Sequence, residues 1–333
     1  MPVHISSRDL VRRYLEGRPI ERSPVVLHVG PYAARLQQMS YQQVAGDATL
    51  LANSLQSAQK LFGCDGLIVL ADATLEAEAC GCEVAWRDDE PVVTSHPLGG
   101  VEPGARSVLV EDIETRGRLA VTLEAAKRLA AVVGRDVALF PAVTGPVTLA
   151  AHLRGPSFWA DLDASPERAD ETLGLAGQVM LRIARWYLDA GFEQILVSDP
   201  LLGRVDPAHY PRVAAVLRTL WNVAEFYDAH VLLQTEVNDD SRLEALRGLG
   251  AAGLVVERGG PTDSAERRDV GAERGLIFGL PSALVDSDPA ALEGAVTAWR
   301  SGGCGPDGLV ACCNIPRTAP PENVHAVIRL LRG

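Results

Sequence analysis

Residues 194–236 read QILVSDP (194–200), then PAHYPRVAAVLRTLWNVAEFYDA (207–229), then HVLLQTE (230–236). The two outer runs are short and almost continuously apolar, as strands buried on both faces are. The segment between them repeats its apolar residues at the helical period, which predicts a crossover helix joining two parallel strands. The same kind of run recurs at PVVLHVG (24–30), GLIVLAD (66–72), VALFPAVTG (137–145), GLVVE (253–257), GLIFGL (275–280) and GLVACC (308–313), making eight in all. Helix-length segments separate them, among them DATLLANSLQSAQKLFG, SPERADETLGLAGQVMLRIARWYLDAG and DPAALEGAVTAWRSGG. Several end on glycine just before the next run, where helix C-termini favour it. Eight such alternations predict an α/β protein: a single (β/α)8 TIM barrel occupying residues 1–333 as one domain. A doubly wound open sheet is the alternative, but no GxGxxG follows any run. CEVAWRDDEPVVTSHPL (82–98) predicts a β-hairpin inserted after strand two, standing off the barrel rim.

The composition narrows the partners. The chain has 333 residues, 47% hydrophobic and 22% charged, which suits a globular core and excludes a disordered chain. Lys+Arg number 31 against 43 Asp+Glu, giving a net charge of −12, which repels phosphate backbones and argues against nucleic acid. Aromatic residues make up only 5%, too few for a base-stacking surface. The N-terminal MPVHISSRDLVRRYLEGR is amphipathic and lacks an apolar signal core. No run of uncharged apolar residues is long enough to span a bilayer, so a cytoplasmic protein with no membrane partner is expected. Cys64, Cys80, Cys82, Cys304, Cys312 and Cys313 contain no CxxC pair and read as thiols.

In a barrel the chemistry sits where strands end. Those ends supply His28 after strand one, Asp72 after strand two, Thr144 after strand three with His152 beyond it, and Asp199 after strand four. They continue with Gln234 and Glu236 after strand five, Glu257 and Arg258 after strand six, and Cys312, Cys313 and Asn314 after strand eight. His28 and His152 are acid–base candidates because imidazole titrates near neutrality, although a single histidine often has a structural place instead. Asp72 ends an apolar strand, where a carboxylate is costly unless hydrogen-bonded or used. Asp199, in Ser-Asp-Pro, reads equally as a helix cap. Cys313 is a nucleophile or metal-ligand candidate and otherwise a small buried hydrophobe. Glu236 is a base or a hard metal ligand, or the partner of Arg258. Cys80 and Cys82 read as packing residues, and Cys304 as a loop thiol.

Five segments carry a family resemblance: RRYLEGRPIERSPV, FGCDGLIVLADATLEAEACGCEV, TGPVTLAAHLRG, ILVSDPLLGRVDP and CCNIPRTAPPENV. The chain resembles the uroporphyrinogen decarboxylase superfamily, which includes the zinc-dependent methylcobamide:coenzyme M methyltransferases. The last two segments look most like that methyltransferase branch. The resemblance implies that the decarboxylases' key aspartate falls on Asp72, their tyrosine on His152 and a late histidine on Cys313. Their arginine pair after strand one is absent: HVGPYAARL offers only Arg35. The methyltransferases' zinc ligands fall on Gln234, Glu236 and Cys313, so one histidine and one thiolate are missing.

The resulting expectation is methyl or one-carbon transfer on a small molecule, with a corrinoid protein as partner, a small-molecule substrate and a homodimeric assembly as the other association considered. Decarboxylation of a small acid or tetrapyrrole and a non-catalytic binding barrel are the alternatives. Asp72, His28, His152, Asp199, Glu236 and Cys313 are the catalytic candidates. Tyr32, Gln234 and Asn314 are the substrate-binding ones. Zinc, held by Cys313 and Glu236, is the one cofactor considered.

Overall fold

The computed structural model describes residues 5–100, 110–237, 240–257, 276–280, 282–301 and 310–332. Its strands are β1 (Val25–His28), β2 (Gly66–Ile68), β3 (Val84–Arg87), β4 (Glu90–Val93), β5 (Ala138–Phe140), β6 (Ala142–Thr144), β7 (Gln194–Ser198), β8 (His230–Thr235), β9 (Gly253–Glu257), β10 (Leu276–Gly279) and β11 (Val310–Asn314). The helices that frame the site are α1 (Ser7–Leu15), α2 (Gly30–Leu36), α3 (Tyr41–Ala45), α4 (Ala48–Phe62), α5 (Leu75–Ala79), α6 (Gly117–Val133), α7 (Pro146–Arg154), α8 (Ser157–Ala164) and α9 (Pro166–Asp189). Further helices follow at Tyr210–Phe226, Asp240–Arg247, Ser282–Val285, Pro289–Ser301 and Pro321–Arg332. Each of the eight apolar runs contains a strand.

Nine strands form one sheet in the order β5-β2-β1-β11-β10-β9-β8-β7-β6, and each described pairing within it is parallel. The run 137–145 is split at Pro141, which has no N–H to give a ladder. Phe140 still accepts from Val69 N–H at 2.9 Å, on the β2 side, whereas Pro141 accepts from Leu196 N–H at 3.0 Å, on the β7 side. The two strands at the ends of the sheet order are therefore consecutive pieces of one segment.

Successive strand residues serve two cores. Val26, Ile68, Phe140, Leu196, Leu232 and Val255 pack together on one face with Val11 of α1. Val25, Leu27, Leu67, Val143, Ile195 and Val197 face the helices. This two-sided burial explains why the runs are continuously apolar rather than alternating. The result is a TIM-barrel-like α/β fold.

Local signals set the helix ends. Asp47 caps α4, accepting from Thr49 and Leu50 N–H, and Gly63 closes it at φ 60°. At the strand N-termini, the fully buried Asp65 gathers Ser7, Arg22, Val25 N–H and Arg332. It thus joins both ends of the chain to the start of β2.

Strands β3 and β4 pair antiparallel, with Asp88 and Asp89 at φ 49° and 63° in the turn between them. Two positive φ values suit the right-handed twist of a tight two-residue connection. The sequence reading expected a hairpin standing off the barrel rim; its turn is docked onto the start of α3. Asp89 accepts from Tyr41 and Gln42 N–H at 2.7 and 2.9 Å and pairs with Arg317 at 2.9 Å. Cys64, Cys80 and Cys82 are buried free thiols, and burial pushes each up to about 12, so they are inert packing groups. Cys304 and Arg258 lie outside the described residues.

Candidate active site

Asp72 stands four residues beyond the end of β2, and its side chain is only 4% exposed. Its Oδ1 accepts from the Thr74 N–H at 2.9 Å and hydroxyl at 2.6 Å. Its Oδ2 accepts from Arg118 Nη1 at 2.5 Å and from the Tyr41 hydroxyl at 3.4 Å. A buried carboxylate is tolerated when a cation and several donors meet it, and all are present here.

Two imidazoles share this environment. His28 ends β1 and is 9% exposed; its Nε2 accepts a long bond from Ala71 N–H at 3.4 Å. Burial pushes it down to about 4, against the pull of Asp72, so at neutral pH it is an uncharged ring. His152, on α7, is half-buried, and burial together with nearby His96 holds it below the usual imidazole range while Asp72 opposes them. His96 Nδ1 lies 2.7 Å from the His152 carbonyl oxygen. Asp72, His28 and His152 are thus brought together.

Other candidates have different places. Asp199 is fully buried and accepts from Val147 N–H at 3.0 Å, Thr148 N–H at 2.8 Å and the Thr148 hydroxyl at 2.6 Å. It caps α7, the helix preceding it in the chain, so of the two readings the sequence left even, cap and function, the capping bonds are present. Gly145 makes room for it: a Cβ there would sit 2.3 Å from the Asp199 Cβ. Burial pushes Asp199 up to about 6, with Thr148 and Val147 pulling the other way. Tyr32 is fully buried among the helices, its ring 6.0 Å from Phe62 and under the Arg35 guanidinium.

Gln234, next to last in β8, pairs with Ser198, and its buried Oε1 has no hydrogen-bond partner among the described residues. Glu236, just beyond, is exposed, as is Asn314, which pairs in register with His28. Cys313 pairs in register with Leu27, but its side chain, like that of Cys312, lies outside the described residues.

The zinc expectation can be tested against these donors. Catalytic zinc takes three protein ligands, commonly imidazoles and thiolates. The strand-five positions hold an amide and an exposed carboxylate, and no three His, Cys, Asp or Glu side chains are placed to hold a metal ion together among the described residues. The two described donors, Gln234 and Glu236, do not by themselves make a zinc site; the Cys313 side chain lies outside the described residues.

Sequence reasoning missed Arg118, Tyr41 and Trp86. Arg118, 8% exposed on the first turn of α6, also bonds Thr74 and Glu78, and its Cζ lies 5.1 Å from the Trp86 ring centroid. Only the Gly-Arg step opening an amphipathic segment and a tryptophan in the predicted hairpin marked them. Glu76 is also buried, held by Thr144 N–H at 3.1 Å and hydroxyl at 2.5 Å, and burial raises its carboxyl above the usual range. Asp72, Glu76, Thr144 and Ser198 line a narrow crevice where β2, β6 and β7 end.

The chain belongs to the uroporphyrinogen decarboxylase (URO-D) family, whose model matches residues 6–333. It is 24% identical over 324 residues to a methylcobamide:CoM methyltransferase, MtaA, of Methanosarcina barkeri, covering 94% of each chain. It is 24% identical over 200 residues to another methylcobamide:CoM methyltransferase, MtbA, of Methanosarcina acetivorans, covering 58% of each. Its fold is similar to that of a methyltransferase from Methanosarcina mazei, with a TM-score of 0.87, 23% identity and 98% of both chains covered.

Proposed function

We propose that this chain is a methyltransferase that moves a methyl group between a corrinoid carried by a partner protein and a small acceptor bearing few carboxylates. In this reading the sheet closes through segment 138–144 into one (β/α)8 barrel domain. The β3–β4 pair is then an excursion packed at the mouth.

One observation carries the choice between the family's two chemistries: Arg35, the arginine after strand one, and Arg118, beside Asp72, are already spent. Arg35 donates to the carbonyl oxygens of Arg317 and Ala319. Arg118 is held by Asp72, Thr74 and Glu78. A multi-carboxylate macrocycle would leave its charges unpaired here, which costs several kcal/mol, or more than about a thousandfold in affinity. The relatives with named activities that span the chain are methylcobamide:CoM methyltransferases.

The chemistry asks little of the protein beyond proton removal and positioning. A thiol or amine acceptor must lose a proton as its heteroatom takes the methyl group. His152 is the proton acceptor: uncharged at neutral pH, half-buried, and within electrostatic reach of Asp72. Asp72 stabilises the imidazolium that results. His28 is a fixed, neutral wall of the site, and Gln234 and Asn314 are its substrate-facing polar groups.

The test is anaerobic incubation with methylcobalamin and coenzyme M or other thiols and amines, followed by loss of the methyl–cobalt absorbance. Uroporphyrinogen is run in parallel under reducing conditions. Protein-dependent demethylation without coproporphyrinogen supports the reading. Coproporphyrinogen appearing at about 1 per second or faster, or carbon dioxide release from a small acid with no methyl transfer, overturns it.

A further inference from the structure

We propose that Arg118 is the positioning residue of this site: its guanidinium fork fixes Asp72 in one orientation, and Trp86 of the β3–β4 pair clamps the fork in place.

The three guanidinium nitrogens each take a separate acceptor. Nη1 reaches Asp72 Oδ2 at 2.5 Å, Nη2 reaches Thr74 Oγ1 at 2.7 Å, and Nε reaches Glu78 Oε2 at 2.6 Å. Thr74 Oγ1 in turn donates to Asp72 Oδ1 at 2.6 Å. Both carboxylate oxygens are therefore tied to one planar group, one directly and one through a hydroxyl. A carboxylate held at both oxygens cannot swing, and an ammonium, being a point charge on a flexible stem, cannot reproduce that fork.

The β3–β4 pair completes a closed circuit. The face of Trp86 lies against Arg118, while the Tyr41 ring meets Trp86 nearly perpendicular at 5.6 Å, and the Tyr41 hydroxyl returns to Asp72. Asp89 holds the turn to the start of α3 and to Arg317. Gly117, at φ +49°, lets α6 begin this close: a Cβ there would lie 2.9 Å from Glu78 Oε1. Asp72 is the charge that both His28 and His152 sense, and His96, whose Nδ1 meets the His152 carbonyl oxygen, acts on His152 in the opposite direction. Arg118 thus acts on the imidazoles through Asp72 and need not touch substrate.

The kinetic half of this inference rests on the methyl-transfer reading; the spectroscopic half does not. Imidazole NMR titrations of the full chain are compared for wild type, R118K, R118Q, W86F and W86L, with His152 assigned by H152Q. R118K is the deciding variant because it keeps the charge and loses the fork. We expect R118K to move the His152 titration by about half a unit, and R118K to transfer methyl groups about tenfold more slowly than wild type with KM nearly unchanged. R118Q should lose about a hundredfold, and D72N/R118Q no more than D72N alone. W86F should behave as wild type and W86L like R118K. If R118Q does not fold, R118K and the Trp86 variants still decide. An R118K protein with wild-type His152 titration overturns the inference even if no methyl transfer is found. A wild type without methyl transfer but with the titration shift removes only the functional reading.

Discussion

His28 is where burial and charge are most directly opposed. Its folded form takes a proton only near 4, whereas an unfolded imidazole does so near 6.5. Between those values the unfolded chain binds more protons, so stability falls as pH falls through that window, by about 3 kcal/mol at full effect. His28→Gln removes this dependence. Chemical denaturation of both proteins at pH 7 and pH 4 should therefore show the variant gaining about 3 kcal/mol relative to wild type on acidification; parallel curves would contradict the assignment. Asp199 has the opposite sign: its folded value near 6 exceeds the unfolded 3.8, so its cost sets in as pH rises through that range. Its capping role gives a separate expectation. Asp199→Ala strips two α7 N–H groups and a hydroxyl of their acceptor, and a loss of at least about 2 kcal/mol is expected in urea melts. Asp72, His28 and His152 could be read from the sequence because strand ends and imidazoles announce themselves there. Arg118 could not, because its partners come from residues 72, 74 and 78, between 40 and 46 residues away in the chain.

At the scale of elements, the eight apolar runs were readable because double-sided burial leaves an unbroken apolar signature. The split of one run at Pro141, and the use of its two halves by different neighbours, depends on ladder partners that periodicity does not show. The β3–β4 turn was visible from Arg-Asp-Asp-Glu between β-prone runs, but its docking was not, since Asp89 meets backbone N–H groups of a helix 48 residues away. Asp89→Ala removes acceptors from the first turn of α3 and a partner from Arg317. We expect a stability loss of about 1–2 kcal/mol by urea denaturation together with faster amide exchange across residues 84–93. Unchanged exchange there would mean that the pair is held by its aromatic contacts alone.

For the whole molecule, charge and site composition lead to one substrate class. A chain of net charge −12 with Arg35 and Arg118 engaged favours a small acceptor over a polyanion. The most direct measurement is transfer of a deuterated methyl group. The protein is incubated anaerobically with deuteromethylcobalamin and coenzyme M, and the thiol is analysed by mass spectrometry, with His152→Gln and boiled protein alongside. The account expects protein-dependent deuteromethyl thioether, reduced about a hundredfold in His152→Gln. Label that stays on the corrinoid with every thiol and amine acceptor, while the same preparation decarboxylates uroporphyrinogen, would contradict it.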